Sequence, residues 1–237
     1  MHKEFLLIIP VYNEEASISR LIPEIKSHYK YDILAINDGS TDSSGTLLNK
    51  LEDKDFVVLH HKKNAGYGYS LVEGFKYSIK NNYKYAITID CDLQHEPQFI
   101  NSFLEQIGHY DVVSGSRYLQ SFSANDTAPA DRVNINRQIT TLINQCTNLC
   151  ITDAFCGFKA YRVSSLAKLQ LTVAGYGLPL QIWMQAYYHR FRIKELAIPR
   201  IYASPNRTFG ETLDNPTKRI NYYRRILRRE LKKWKPT

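Results

Sequence analysis

Two aspartates separated by a single residue are the side chains in this sequence best suited to bind a cation. Asp90 and Asp92 follow an apolar, β-branched run, Tyr85 to Ile89, that is typical of a buried strand. Because side chains alternate along a strand, residues two apart leave on the same side and can reach one ion. Oxygen ligands favour Mg²⁺ or Mn²⁺, which also bridge to the phosphates of a substrate. The alternative interpretation of this pair is a solvated acidic turn.

The elements that would position this pair alternate in type along the first half of the chain. Apolar runs predict five strands, at residues 5–11, 33–36, 56–60, 85–89 and 111–115. Helical patterns lie between them, which predicts an α/β fold with a mostly parallel central sheet and helices on both faces. The carboxyl ends of parallel strands share one ligand-binding edge. The polar loops at that edge should therefore lie together, and they contain Glu14, Asp38, Asn64, Asp90 and Asp92.

The second half of the chain has a less regular pattern. Leu119 to Ala130 is a polar stretch of the kind that forms a lid over an active site. Helices are predicted at 133–150 and 180–191, and short strands at 158–161 and 193–198. We predict one domain over residues 1–215, followed by a basic C-terminal helix over residues 216–237.

Length and composition narrow the class of protein. A chain of 237 residues with 43% hydrophobic residues can bury a full α/β core. Its four cysteines lack the regular spacing of a disulfide framework or a zinc site. No run reaches the ~18 to 20 apolar residues of a membrane span. The N-terminus shows no signal peptide, so we predict a cytoplasmic protein.

The net charge of +8 is concentrated in the C-terminal tail, where nine lysines and arginines accompany the single acid Glu230. Apolar residues recur there at steps of three or four, at Ile220, Tyr223, Leu227, Leu231 and Trp234. An amphipathic helix with a basic face is typical of a segment that lies in a membrane interface. Two alternatives stay open. The helix could pack on the domain with its basic face in solvent, or bind nucleic acid, although no recognised nucleic-acid module accompanies it.

Five motifs between Ile8 and Tyr118 carry a resemblance to a known family. In order, they are IIPVYNEE, NDGSTDSS, KNAGYGYSLVEG, DCDLQHEP and GSRY. Together they resemble the inverting family 2 glycosyltransferases of the GT-A fold. Two later segments, DAFCGFKAY from Asp153 and IPRIYASPNRTFGET from Ile198, are similar to segments of the dolichol- and polyprenyl-phosphate sugar synthases.

The resemblance implies a donor site and a metal site. The nucleoside of a GDP- or UDP-linked sugar would be held by Pro10, Tyr12, Glu14 and Asp38. A divalent ion, Mg²⁺ or Mn²⁺, would lie on the diphosphate, held by Asp90, Asp92 and Gln94. For each donor residue alone, ordinary turn and helix-cap chemistry is the alternative.

The resemblance also implies which residues meet the phosphates and the acceptor. Arg117, Arg132 and Arg207 would gather phosphates of the donor or the acceptor, a task that suits the planar fork of a guanidinium. Asp153 occupies the position of a family carboxylate near the sugar. The predicted catalytic residues are Asp92, Arg117 and Arg207. An ordinary surface arginine, or a capping role for Asp153, is the alternative.

One departure from the family pattern bears on the acceptor. Family members that glycosylate a hydroxyl place a carboxylate on a late helix as general base, and its counterpart here is Gln181. Glutamine cannot take a proton, and an alcohol needs a base positioned on its proton. A phosphate monoester oxygen is already ionised, so the change favours a phosphate acceptor. Cys156 and Lys159 also replace the usual serine and arginine, which leaves the contacts of that segment open.

These observations predict an inverting, metal-dependent transferase that moves mannose or glucose from a nucleotide diphosphate sugar to a polyprenyl or dolichyl phosphate. It would lie on the inner face of the membrane as a peripheral protein, bound to anionic lipid through residues 218–237, with no nucleic-acid partner. The first alternative is a family 2 enzyme that acts on a sugar hydroxyl in polysaccharide or lipopolysaccharide synthesis. The second is an inactive nucleotide-sugar-binding protein.

Overall fold

A computed structural model describes residues 3–120, 128–202 and 210–234. Within these ranges seven strands form one sheet. They are β1 (Lys3–Val11), β2 (Asp32–Asn37), β3 (Phe56–His60), β4 (Tyr83–Thr88), β5 (Val112–Ser116), β6 (Lys159–Arg162) and β7 (Ile193–Ala197).

Nine α-helices surround this sheet in the same ranges, and a short 3-10 helix, Pro97–Phe99, precedes the fourth of them. They are α1 (Glu15–His28), α2 (Ser44–Leu51), α3 (Tyr67–Lys80), α4 (Ile100–Ile107), α5 (Ala130–Thr147), α6 (Val163–Leu166), α7 (Leu178–Tyr188), α8 (Glu211–Asp214) and α9 (Pro216–Lys233).

The sheet has the strand order β3-β2-β1-β4-β6-β5-β7. All neighbouring strands are parallel except β6, which runs antiparallel to both β4 and β5. The carboxyl ends of β1, β2, β3 and β4 therefore open onto one edge, as the alternating pattern predicts. The mostly parallel sheet of the predicted fold is confirmed.

Alternation along β1 separates the core into two layers. Leu7 and Ile9 pack with residues of α1, α2 and α4 on one face of the sheet. Leu6 and Ile8 pack with residues of α3, α5 and α7 on the other. Full burial of one such side chain contributes about 1.5–3 kcal/mol to stability. Both faces are covered, which explains why the strands are almost continuously apolar.

Local differences from the predicted elements fall at their ends. β4 begins two residues and ends one residue before the predicted strand, and Asp90 and Asp92 lie in the loop that follows it. α2 begins at Ser44, whose backbone N–H donates a hydrogen bond to Asp42 Oδ1 (2.9 Å). Most of the predicted lid, residues 121–127, lies outside the described residues.

The C-terminal helix α9 packs on the domain. Tyr223, Ile226 and Leu227 are buried in the same core layer as α5 and α7. The structure therefore shows the packed alternative for the apolar stripe, which contacts the protein and is not exposed for insertion into a bilayer. Of the helices described, none combines the length and the apolar character that crossing a membrane requires.

Candidate active site

The carboxylate of Asp90 is held in one orientation at the open edge of the sheet. Its Oδ1 accepts a hydrogen bond from the Tyr67 hydroxyl (2.9 Å). The backbone of Gly157 packs directly against it, since a Cβ at that position would lie 2.1 Å from Oδ2. The Asp90 side chain is 23% exposed, so it faces the edge while being held from behind.

Asp90 converges with Asp92 and His95. One ligand atom from each of these three side chains lies within 4.8 Å of the others. Asp92 also closes its own loop, because its Oδ1 accepts a hydrogen bond from the backbone N–H of Gln94 (3.1 Å). Gln94, the third predicted ligand, is largely buried beside this pair.

His95 is a site residue that sequence reasoning did not assign. It is 4% exposed, and its Nδ1 lies 3.8 Å from Asp90 Oδ2 with no hydrogen-bond partner among the described residues. Burial lowers the pKa of the imidazole to about 4 against the opposing charge of Asp90, so the ring is neutral near pH 7. A buried, neutral and unpartnered nitrogen beside two carboxylates fits a divalent cation.

The signal that brings His95 to the site is a backbone conformation. Leu93 has a φ of 58°, in the left-handed region that a leucine rarely adopts. The chain thereby turns between Asp92 and His95 so that both side chains face the same point. The residue types of this segment do not predict the turn.

Asp38 organises the loop that follows β3. Its buried carboxylate accepts hydrogen bonds from His61 Nδ1 (2.7 Å), Ala65 N (2.9 Å) and Gly66 N (2.8 Å). Gly39, at φ 66°, lies against the backbone of Lys63, where a Cβ would come within 2.4 Å. Asp38 thus shapes the wall of the predicted donor pocket, and its contact with a nucleoside remains a prediction.

The loops after β1 and β2 are tied together. The backbone N–H of Glu14 donates to Ser44 Oγ (2.8 Å), and the Glu14 carboxylate accepts from Ser17 Oγ (3.0 Å). Pro10 is half-buried at the end of β1, whereas Tyr12 is 46% exposed beyond it. The structure places all the predicted nucleoside residues at one edge, and Tyr12 offers an exposed ring there.

Arg117 and Asp153 are joined in a buried, bidentate ion pair. Arg117 Nε donates to Asp153 Oδ2 (2.7 Å) and Nη2 donates to Oδ1 (3.0 Å). The exposed fractions of the two side chains are 13% and 0%. Asn136 Nδ2 and the backbone N–H groups of Phe155 and Cys156 complete the shell of Asp153. In this geometry Asp153 orients Arg117, and its predicted place near the sugar remains a prediction.

The charges of this pair stabilise each other. Burial alone raises the pKa of Asp153, but the Arg117 guanidinium outweighs it and holds that pKa well below its usual range. Burial likewise acts to lower the pKa of Arg117, and the carboxylate of Asp153 raises it instead. Both groups are therefore charged near neutral pH.

The structure gives fewer contacts for the other two predicted phosphate-binding arginines. The guanidinium carbon of Arg132, on α5, lies 5.9 Å from the centre of the Tyr202 ring. Arg207 lies outside the described residues. Their proposed contacts with phosphate remain predictions.

The side chain of Gln181 is buried and forms hydrogen bonds within the protein. Its Nε2 donates to Glu230 Oε1 (2.8 Å) and Thr172 Oγ1 (3.2 Å), and its Oε1 accepts from the backbone N–H groups of Thr172 and Val173. Both Gln181 and Glu230 are buried. The predicted counterpart of a general base therefore joins α7 to α9.

This network makes Gln181→Glu a stability variant rather than a new general base. The substitution removes the donor to Glu230 and places a second carboxylate 2.8 Å from the first. Loss of the buried hydrogen bond with the added repulsion should lower the free energy of unfolding by at least about 2 kcal/mol. Urea denaturation measures this, with Gln106→Glu on the half-exposed side of α4 as the matched control. A variant as stable as the wild type, with new transfer to a sugar hydroxyl, would contradict this account.

Known proteins resemble this chain in sequence and in fold. The chain matches the model of Glycosyl transferase family 2 over residues 6–170. It is 28% identical over 203 residues to polyprenol monophosphomannose synthase of Mycolicibacterium smegmatis, covering 81% of this chain and 76% of that protein. It is 27% identical to undecaprenyl-phosphate mannosyltransferase of Micrococcus luteus, covering 81% and 82%.

A further relative differs in the sugar that its name contains. The chain is 26% identical to UDP-N-acetylglucosamine–dolichyl-phosphate N-acetylglucosaminyltransferase of Methanococcus voltae, covering 84% of this chain and 86% of that protein. Among solved structures, glucosyl-3-phosphoglycerate synthase of Mycobacterium tuberculosis, in complex with Mn²⁺, uridine diphosphate and glucosyl-3-phosphoglycerate, superposes with a TM-score of 0.73. At 16% identity over 96% of this chain and 80% of that one, this likeness shows the fold and confirms the predicted GT-A architecture.

Proposed function

Because the chain belongs to glycosyl transferase family 2, we propose that it transfers a hexose, mannose or glucose, from a GDP- or UDP-linked donor to a polyprenyl phosphate with inversion. The observation that carries the proposal is the convergence of Asp90, Asp92 and His95 at the sheet edge. Three relatives named for lipid-phosphate acceptors, each aligned over most of this chain, support the choice of acceptor.

The residues at the edge fit a divalent cation. Two carboxylates supply hard oxygen ligands, and the orphaned Nδ1 of His95 supplies a neutral nitrogen. Adding an imidazole to the carboxylates favours Mn²⁺ over Mg²⁺. When bound, the cation neutralises charge that develops on the leaving diphosphate. Gln94 stays a predicted additional ligand.

The remaining steps belong to side chains of the protein. Tyr12, Glu14 and the loop shaped by Asp38 hold the nucleoside, so that the anomeric carbon faces the acceptor. An oxygen of the acceptor phosphate attacks that carbon from the side opposite the diphosphate, the bond to the diphosphate oxygen breaks, and the configuration inverts. Arg117, oriented by Asp153, helps to position the acceptor phosphate together with Arg132 and Arg207.

The acceptor side needs charge and orientation rather than a base. Phosphate monoesters are ionised near neutral pH, and Gln181, the predicted counterpart of a general base, is buried and hydrogen-bonded. This observation favours a phosphate over a sugar hydroxyl. It also makes turnover without a general base chemically reasonable.

The function is tested by incubating the purified protein and Mn²⁺ with GDP-mannose or UDP-glucose and undecaprenyl phosphate. We expect a glycosyl phospholipid whose anomeric configuration, determined by NMR, is opposite to that of the donor. Undecaprenol, which lacks the phosphate, is the matched control and should not react. Transfer to a sugar hydroxyl without transfer to the lipid would support the first alternative. Donor binding without turnover on any acceptor would support an inactive binding protein.

We further propose that the exposed face of α9 binds anionic lipid by charge alone. Lys218, Arg225, Arg228 and Lys232 are exposed and follow each other at helical spacing on the side opposite the buried stripe. Each cation near an anionic surface contributes about 1 kcal/mol. Because the attraction is screened over about 8 Å at 0.15 M salt, it should weaken as salt rises.

Reversing three of these charges should release the protein from anionic vesicles. We expect Arg225→Glu, Arg228→Glu and Lys232→Glu combined to weaken vesicle binding at low salt at least about a hundredfold, the equivalent of about 3 kcal/mol. Co-sedimentation with phosphatidylglycerol vesicles over a salt series measures it. Truncation of the tail is the poorer test, because it removes Tyr223 and Leu227 from the core.

The matched control carries three reversals elsewhere on the surface. All three lysines are exposed: Lys50 lies at the end of α2, Lys54 in the loop before β3 and Lys80 at the end of α3. Their replacement by glutamate gives the same net charge without touching α9. Equal loss of binding in both triple variants would show that net charge, rather than the face of α9, attracts the membrane.

A further inference from the structure

The start of α3 is seated tightly against the segment before α7. Glycines flank Tyr67 on both sides, and a Cβ at Gly66 or Gly68 would lie 2.5 Å or 2.4 Å from a carbonyl oxygen of the segment Val173–Gly175. The backbone N–H of Tyr69 donates to the carbonyl of Ala174 (2.9 Å). The position of Tyr67 is therefore fixed by its backbone and not only by its side chain.

From this position Tyr67 meets the loop after β4. It follows β3 along the chain, but α3 crosses the sheet and packs on β1 and β4, which brings its first turn close to Asp90. The Tyr67 hydroxyl donates to Asp90 Oδ1 at 2.9 Å. A side chain at the first turn of α3 thus contacts one of the proposed cation ligands directly.

The ring of Tyr67 is held from its other side as well. Tyr176 stacks on it, with ring centroids 5.5 Å apart and planes 17° from parallel. Tyr176 belongs to the segment that leads into α7 and is half-buried. Stacking of this kind contributes beyond simple burial and restricts how the ring can move.

The contacts around Asp90 leave its carboxylate little freedom. Tyr67 binds Oδ1, the backbone of Gly157 packs against Oδ2, and Oδ2 faces His95 Nδ1 at 3.8 Å. A neutral hydrogen-bond donor on a ligating carboxylate orients it without competing for its charge. Residues that orient metal ligands in this way usually affect metal affinity or activity by about 10–100-fold.

We propose that Tyr67 is a positioning residue for the divalent cation, and that Tyr176 holds it in place. This inference rests on the proposed metal site of Asp90, Asp92 and His95. It adds to that site a link between the loop after β3 and the segment before α7. The link makes the geometry of the cation site depend on both of those segments.

The test is the affinity of the protein for Mn²⁺ alone, measured by electron paramagnetic resonance without nucleotide. We expect Tyr67→Phe, which removes only the hydroxyl, to raise the Kd for Mn²⁺ by about 10–100-fold. Tyr176→Leu, which removes the stacked ring, should raise it by less. Both variants should still unfold cooperatively.

Activity supplies a second measurement that a purely structural role would not change. For Tyr67→Phe the Mn²⁺ concentration that gives half-maximal transfer should rise by the same factor, while kcat at saturating Mn²⁺ returns towards the wild-type value. Tyr77→Phe is the matched control, because Tyr77 lies on the same helix and stacks on Tyr83, away from Asp90. Its affinity for Mn²⁺ should equal that of the wild type.

The outcomes separate this inference from the proposed function. If Tyr67→Phe binds Mn²⁺ as the wild type does while Asp92→Ala does not, the positioning role is wrong and the metal site stands. If the wild type itself binds no Mn²⁺, the metal site and the inference fail together.

Discussion

Replacing Asp92 with alanine should lower the rate of sugar transfer at least about a thousandfold while the protein remains folded. The side chain supplies one of the two carboxylates that converge with His95, and its loss removes charge from the cation site. A bound cation contributes several kcal/mol to stabilising the leaving group, and about 4 kcal/mol corresponds to this factor in rate. Initial rates at saturating donor over a Mn²⁺ series measure the effect, and circular dichroism checks the fold.

Asp55→Ala is the matched control for this variant. Asp55 is exposed in the loop before β3, at the opposite end of the strands, where its ion pair with Lys54 is open to solvent. Its replacement should leave transfer unchanged. Full activity of Asp92→Ala in the presence of a chelator would contradict the assignment of the cation to this loop.

Replacing Asp153 with asparagine should cost the protein about 3–5 kcal/mol of stability, because it leaves the buried Arg117 without a counter-charge. The carboxylate is fully buried and accepts hydrogen bonds from both Nε and Nη2 of Arg117. The free energy of unfolding in urea measures this cost. The exposed pair of Lys76 and Glu73 gives the matched control, since Glu73→Gln should change it by less than about 0.5 kcal/mol.

The ion pair of Arg117 and Asp153 should also make the free energy of unfolding depend on pH in acid. The pKa of Asp153 lies well below its usual range in the folded protein and near 3.9 when unfolded. The stabilisation is therefore complete above about pH 4, and it falls at lower pH as the unfolded chain takes up a proton that the folded protein does not. Below this pH the wild type should lose stability more steeply than Asp153→Asn. Equal slopes would show that another carboxyl dominates.

A double variant separates a buried charge from a general packing defect. Arg117→Gln combined with Asp153→Asn removes both charges at once, so it should be more stable than Asp153→Asn alone. If the losses of unfolding free energy in Arg117→Gln and Asp153→Asn simply add in the double variant, the two charges are not coupled and the pair does not act as described.

The sequence predicts those parts of the site that depend on strand order and on loops that follow strands. Apolar runs located all seven strands, and parallel pairing then required the loops of Glu14, Asp38 and Asp90 to meet. These loops do meet, because nearest-neighbour rules for α/β folds leave few other arrangements.

Other contacts of the site depend on long-range packing that residue types do not reveal. The partner of Arg117 lies 36 residues further along the chain. Tyr67 meets Asp90 because α3 packs on β1 and β4, and His95 faces the site through the backbone turn at Leu93. For the same reason the apolar stripe of α9 predicts an amphipathic helix equally well whether the stripe meets a bilayer or a core.

The strand order also determines how long each strand lacks a pairing partner while the chain is synthesised on the ribosome. β1 to β4 can pair with one another as soon as they emerge, but the other side of β4 is reserved for β6. Residues 89–162 must be translated before that partner exists, which at about 5–20 residues per second takes about 4 to 15 s. During this time β4 is an open edge beside a half-built core, the kind of surface that pairs with other chains. We therefore expect a nascent chain stalled after β4 to be the species that chaperones bind most strongly.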